Sequence, residues 1–453
     1  MNAELPDNVL ANDFNNEEVL KLWSNLMKKI EKKYIKNCIE NLGLSFSDII
    51  KIIKDTNNSE SIKYYVEYMS TLGIDVPIEL ILLSGDIEFI EKCEKTLNLK
   101  DEDTEELKIF TNKSYIKLLP EMTIGIEIES EGQDNYNTGE IYEFLRETDW
   151  EIKMDTSLIK GTEVVSPILT GNMEKASNEI RNVCAVLNGI PQTVSERCGG
   201  HVHIGADYLK TKQDMVNLIK ILSNAEMVLY IISNEKGKIP RELVMEYAPP
   251  ISGKFEKAIK DGTINLEKEE DLEKLVKEVA KVQGKRYSSI NFCNIGNKDN
   301  NTIEFRLSNG TINPNTWIEN TNLFGGIIKV SHELAEIQSK KEEQRTEEEK
   351  RLLKNFENLL IEKDEKKLAK SLIDLCIVPE DRYIYMDRYT INRLLLDASP
   401  KVKNAIMQQV STSEIGKKTI IGKDSINEKD YRQGKQIIED EIEQYNDNNL
   451  KRK

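Results

Sequence analysis

Histidine is the scarcest chemically useful residue in this chain: three in 453 positions, His201, His203 and His332. That scarcity excludes amidohydrolase-type metal centres, which also begin with H-x-H but need further histidines on later strands. The six cysteines (Cys38, Cys93, Cys184, Cys198, Cys293, Cys376) form no C-x-x-C pair and no close cluster. Neither a disulfide framework nor a zinc knuckle is expected, and a reducing cytoplasm fits. Basic charge is in deficit, since 63 Lys plus Arg stand against 79 Asp plus Glu, a net charge of −16. Nucleic acid and anionic membrane both call for a basic footprint, so neither is an expected partner. Long apolar runs are missing too. The longest, Val216 to Ser233, is broken by Lys220, Asn224 and Glu226, and the N-terminus MNAELPDNVLANDF has neither a basic n-region nor an apolar h-region. No membrane span or export signal is expected, which again points to a cytoplasmic protein.

What is present is a polar but globular composition, 39% hydrophobic and 31% charged, in a chain long enough for two or three domains. From Asn16 to about Phe110, apolar residues recur at three and four, as in Val19, Leu20, Trp23, Leu26, Met27 and Ile30, which predicts short helices. FSDIIKIIKDT and SGDIEFIEKCEKTLNL hint at stacked pairs of the ankyrin sort. Between Tyr115 and Asn320 the texture changes to period two, in MTIGIEIES, WEIKMD, GTEVVSPIL, GGHVHIG, YSSINF and TIEFRL, which predicts strands. Helical patterns interrupt them at Asn172 to Leu187, Thr211 to Ile232 and the Lys/Glu-rich Leu266 to Val282. From Trp317 the pattern is helical again, Ser339 to Arg351 reads as a solvated charged run, and QYNDNNLKRK as a frayed tail. The expected organisation is a helical region over 1–115, a central domain over 116–335 with a helical insertion at about 206–283, and a helical region over 336–453.

Residues i and i+2 of a strand share a face. GIEIES therefore sets Glu127 and Glu129 opposite Ile126 and Ile128, and HVHIG sets His201 and His203 opposite Val202 and Ile204. TIEFRL sets Glu304 and Arg306 opposite Ile303, Phe305 and Leu307. Asp155 and Glu163 flank a hairpin loop, SLIKG. One apolar face and one ionisable face on each strand predict a sheet with a functional surface. Five carboxylates on it would repel strongly, and divalent cations are the usual remedy. Carboxylates with an imidazole suit magnesium or manganese better than zinc.

Each motif also has a plain structural explanation. E-x-E alone is most often a solvated strand face, E-x-R a cross-strand ladder, and H-x-H a hydrogen-bonded core pair. Their joint occurrence in one strand-rich segment favours a site. Cys198, beside the two histidines, reads either as a nucleophile or as a small residue where strands crowd, and His332 as structural.

In this order the motifs GIEIES, DTSLIKGTEVVSPIL, CGGHVHIG, RYSSINF and IEFRLSNGTINPNTW, covering Thr123 to Leu334, resemble the amidoligase family. That family belongs to the carboxylate-amine ligase superfamily, with glutamine synthetase and glutamate-cysteine ligase as distant relatives. The resemblance leaves the two terminal helical regions outside. It implies an α+β fold with a curved, mainly antiparallel sheet of glutamine synthetase-like type and helices on its back. It further implies ATP with Mg2+ or Mn2+, and an amide or isopeptide bond made through an acyl phosphate. Carried over, it divides Glu127 and Glu129 between two metal sites, with Asp155 and Glu163 completing one and His201 and Glu304 the other. Asp155 stands where the pattern has Glu. Arg306 is assigned to the phosphoryl group, His203 to nucleotide phosphate, and Arg286 to phosphate or a substrate carboxylate. A general base is not evident; Glu131 and Glu196 are candidates. The expected substrates are small-molecule or peptide carboxylates and amines, and the N-terminal helical region is a candidate contact for a protein partner. The alternatives are a phosphotransferase of the same fold acting on a guanidino or carboxyl group, and a non-catalytic metal-binding interaction protein.

Overall fold

Short amphipathic runs broken by Gly, Asn and Asp cannot sustain long helices, and the first described part of the chain is built accordingly. In the computed structural model, residues 59–410 are described apart from 72, 74, 113, 133–135, 147, 191 and 267–270. The expected helices before residue 59 and the C-terminal tail lie outside the described residues. Among those described the fold is α+β, with fifteen α-helices and a mainly antiparallel open sheet.

The chain divides into two compact units. The first gathers the described residues up to Ile116, then Glu127–Cys198 and Gly310–Glu319. It opens with α1 (Ser59–Thr71), α2 (Ile78–Leu83), α3 (Ile87–Thr96) and α4 (Asp101–Thr111). Asp86 caps α3 by accepting from the Glu88 and Phe89 amides, at 3.0 and 3.1 Å. Strand β1 (Ile124–Gly132) enters this unit at Glu127 and is followed by α5 (Tyr136–Leu145), β2 (Glu151–Asp155), β3 (Gly161–Val165), α6 (Met173–Gly189) and β4 (Gln192–Thr193). β2 pairs with β3 and β3 with β1, both antiparallel, while β4 pairs with the end of β1. Asn172 caps α6, and its apolar stripe, Ile180, Val183, Cys184 and Leu187, is buried. α2, buried from Leu80 to Leu83, lies against α6 at Gly189, where a Cβ would stand 2.6 Å from Leu83 Cγ and 2.9 Å from the Glu79 carbonyl oxygen.

The second unit takes Lys117–Ile126, Gly199–Asn309 and the chain from Asn320 onward. Here the start of β1 lies beside β5 (Gly199–Gly205): the Gly205 amide donates to the Thr123 carbonyl at 2.8 Å, and a Cβ on Gly125 would meet His203 Cβ at 3.3 Å. β5 pairs antiparallel with β7 (Thr302–Asn309), and β7 with the short β6 (Ile290–Asn291). Its central helix is α7 (Lys212–Ile232), opened by a Thr211/Asp214 capping box. α7 is long and apolar enough to cross a membrane by length and composition, but 78% of that stretch is buried inside the fold. It is packed as a core helix. α8 (Val244–Tyr247), α9 (Ser252–Lys260), α10 (Leu272–Gln283), α11 (Pro314–Ser339), α12 (Glu347–Ile361), α13 (Glu365–Cys376), α14 (Arg382–Asp397) and α15 (Pro400–Met407) complete the chain. The apolar faces predicted for β5 and β7 are buried, and Phe305 stacks on Phe324 of α11 with centroids 4.3 Å apart.

Candidate functional site

Register decides which carboxylates of the first unit meet. In the β1–β3 ladder Glu129 lies directly across from Glu163, Glu127 across from Val165 and Glu131 across from Gly161. In the β2–β3 ladder Asp155 is also opposite Gly161, and Lys153 opposite Glu163. One face of these strands therefore carries Glu127, Glu129, Glu131, Lys153, Asp155 and Glu163, while Ile126, Ile128 and Val164 fill the other and are buried. Carboxylate oxygens of Glu129, Asp155 and Glu163 lie within 4.8 Å of one another. Glu129 is buried and the other two half-buried. Two like charges at that separation repel by roughly 3 kcal/mol at the effective dielectric of a protein boundary. A cation offsets this, and three hard oxygen donors fit magnesium or manganese.

The hairpin loop fixes this group. Asp155 Oδ1 accepts from the Ser157 amide at 2.7 Å, a local turn typical of aspartate. Leu158, 7% exposed, folds over Gly161, where a Cβ would lie 2.0 Å from Leu158 Cβ; only glycine fits. Lys160 takes a left-handed φ of 53° and its carbonyl accepts from Gly132. Glu131 Oε1 accepts from the Ile159 amide at 2.7 Å. Glu131 is buried, and this contact ties its side chain to the loop. Glu196 is exposed in the loop before β5. Cys198 is fully buried and burial pushes its thiol up to about 11, so it is not an activated nucleophile.

The second unit brings the other predicted residues together. His203 is opposite Glu304 in the β5–β7 ladder, and Asn291 is opposite Glu304 in the β6–β7 ladder, so the three form one row across three strands. The β5–β7 register shifts between Gly200 and Val202, which places His201 at the irregularity. His201 Nδ1 lies 3.8 Å from Glu304 Oε1. The same oxygen accepts from Arg306 Nη1, and Oε2 accepts from Asn291 Nδ2 at 2.8 Å. Burial alone would raise the Glu304 carboxyl; the Arg306 guanidinium, His201, His203 and the Asn291 amide outweigh it and hold the group below its ordinary value. His203 Nδ1 is 3.1 Å from Thr302 Oγ1. Arg306 is buried, and its Nε has no hydrogen-bond partner among the described residues. Arg286 is exposed, and both it and Arg306 stand over the ring of the exposed Tyr287, at 5.1 and 5.9 Å from its centroid.

His332 Nδ1 donates to the carboxylate of the buried Asp214 at the start of α7, at 2.9 Å, the structural role expected of it. Sequence reasoning missed Asn291, Thr302, Tyr287 and Arg241. Asn291 was the most accessible, since SSINF alternates and puts it opposite the apolar Ile290 and Phe292. Arg241 is buried where Gly199 leaves room: a Cβ there would lie 2.7 Å from Arg241 Nη2 and 3.0 Å from His201 Nε2.

Clustered carboxylates on a strand face in one unit, and a buried carboxylate–guanidinium pair beside imidazoles in the other, mark these faces as the candidate site. Residues 39–328 match the family model described as "Putative amidoligase enzyme", more than half of the chain. The protein belongs to that family, which makes it a ligase-type enzyme. No curated protein matches it. The match begins well before Thr123, so the expectation that the N-terminal helical region falls outside the family is corrected. Its physical counterpart is the seating of α2 on α6, within the same unit as the acidic hairpin.

Proposed function

We propose that the protein is an ATP-dependent carboxylate–amine ligase that forms an amide or isopeptide bond. The observation that carries this reading is the convergence of Glu129, Asp155 and Glu163 within 4.8 Å on a chain of the amidoligase family. Carboxylates are poor electrophiles at neutral pH because oxide does not leave. Transfer of the γ-phosphoryl group of ATP to the substrate carboxylate gives an acyl phosphate and ADP; the neutral amine then attacks its carbonyl carbon, the C–O bond to phosphate breaks, and the nitrogen gives up one proton as inorganic phosphate departs.

In this reading Glu129, Asp155 and Glu163 hold one divalent cation, and His201 and Glu304 are ligands of a second. Glu127 keeps the ligand role that the family pattern gives it. Bound magnesium or manganese supplies charge neutralisation at the phosphate oxygens. Arg306 supplies a fixed positive charge, and its buried, unmatched Nε–H is a donor that an incoming oxyanion satisfies. His203 contacts nucleotide phosphate, and the exposed Arg286 holds phosphate or a substrate carboxylate. The helical N-terminal region is the surface proposed for a protein partner.

The test is ADP release with panels of carboxylic acids and amines in the presence of magnesium. Turnover is expected with the wild type and loss of at least two orders of magnitude in Glu129→Ala and in Glu304→Ala, with circular dichroism unchanged. Full activity in both folded variants sinks the proposal.

A further inference from the structure

Two buried amides stand behind Glu304; Asn291 lies in the RYSSINF motif and Gln283 just before it, and the resemblance assigns a role to neither. Asn291 is 1% and Gln283 3% exposed. The Cys293 backbone N–H, which can only donate, lies 2.9 Å from one end of the Asn291 amide, so that end is Oδ1. Asn291 Nδ2 consequently faces Glu304 Oε2, at 2.8 Å. The same logic fixes Gln283. The Phe292 N–H donates to its Oε1 at 2.8 Å, leaving Nε2 to donate to Asn291 Oδ1 at 2.9 Å and to the Lys285 carbonyl at 3.1 Å.

The result is a directed chain of hydrogen bonds from the C-terminal end of α10, through β6, to the carboxylate on β7. Every donor and acceptor along it has one allowed role. A buried polar network of this kind costs stability if its links are unmade; here the Gln283 and Asn291 amides each have their oxygen and nitrogen engaged, which holds both side chains in one orientation. What it specifies is the plane of the Glu304 carboxylate: Oε1 is tied to Arg306, Oε2 to Asn291, and each oxygen retains lone-pair capacity.

We infer that Asn291, itself oriented by Gln283, is a positioning residue that presents Glu304 to a divalent cation. This rests on the reading of Glu304 as a metal ligand. Partners that orient a ligand typically govern metal affinity by 10- to 100-fold when removed.

Manganese titration of the full chain by calorimetry and by electron paramagnetic resonance tests it. Asn291→Leu is expected to weaken one class of manganese site by about 10- to 100-fold, and Gln283→Met by less. The double variant is expected to bind no more weakly than Asn291→Leu alone, because both changes act through one path. A merely structural role would lower melting temperatures and add in the double variant without selecting one manganese site. Wild-type affinity in folded Asn291→Leu, or in folded Gln283→Met should Asn291→Leu not fold, overturns the inference provided Glu304→Ala loses that site. Undiminished manganese binding in Glu304→Ala, or none in the wild type, overturns the metal reading beneath it as well.

Discussion

Replacing Glu304 by glutamine removes one charge from the buried pair while keeping the side-chain volume, so no cavity confuses the outcome. The side chains of Glu304 and Arg306 are 5% and 10% exposed, and solvent screening of the pair is therefore slight. The neutral amide would leave the Arg306 guanidinium desolvated without its carboxylate, a change that costs about 3 to 5 kcal/mol when one partner of a buried pair is lost. Part of the contact to Asn291 survives, which favours the lower end, about 3 kcal/mol. For a unit of this size that is a fall of roughly 6–12 °C in melting temperature at pH 7. The pH dependence follows from the sign of the Glu304 shift. Its carboxyl is held below the ordinary 4.5, so the stabilisation is full above that value and is lost as pH falls through the lowered folded value. The gap between wild type and Glu304→Gln is thus expected to close in acid. Urea and thermal unfolding followed by circular dichroism, at neutral and acidic pH, measure it. A double variant, Glu304→Leu with Arg306→Met, is expected to be more stable than Glu304→Gln, since both charges are gone. A Glu304→Gln protein within about 0.5 kcal/mol of wild type at pH 7, or a gap that ignores pH, would refute the claim that this pair is buried and ionised.

Two further outcomes follow from burial and close packing. Among the described cysteines, brief alkylation at pH 8 is expected to label the exposed Cys293 first, because burial pushes Cys198 up to about 11 and Cys93 up to about 12. Peptide mass mapping reads this, and equal labelling of Cys198 contradicts its burial. Gly189→Ala is expected to destabilise the protein by about 1 to 3 kcal/mol, because its Cβ would press on backbone at Glu79 and Leu83 as well as on the Leu83 side chain. An unchanged melting temperature would mean that the N-terminal helices are not integral to the first unit.

Much of the candidate site was readable because strand geometry is local. Alternation in GIEIES, HVHIG and TIEFRL assigned charged and apolar residues to opposite faces, and Ile128, Val202 and Phe305 are buried as that requires. SLIKG, expected as a hairpin loop between two acids, is one, and the structure adds the reason for its glycine: Leu158 folds back over Gly161. Glu131 shows the limit. Its sequence context matches that of Glu127 and Glu129, yet an amide 28 positions away claims its carboxylate.

What the sequence determined by itself, then, was the inventory and its sidedness: few imidazoles, three ionisable strand faces, a hairpin between two acids, and motifs ordered as in one family. Those properties depend on a two-residue backbone period and on side-chain chemistry, both of which act between near neighbours. Tertiary structure alone decided the register that sets Glu129 rather than Glu127 against Glu163, the irregularity at His201, the Gln283–Asn291–Glu304 chain and the seating of α2 on α6. Pairing of distant segments is a matter of which long-range contacts bury most and leave fewest polar groups unmatched, and no local pattern encodes that sum.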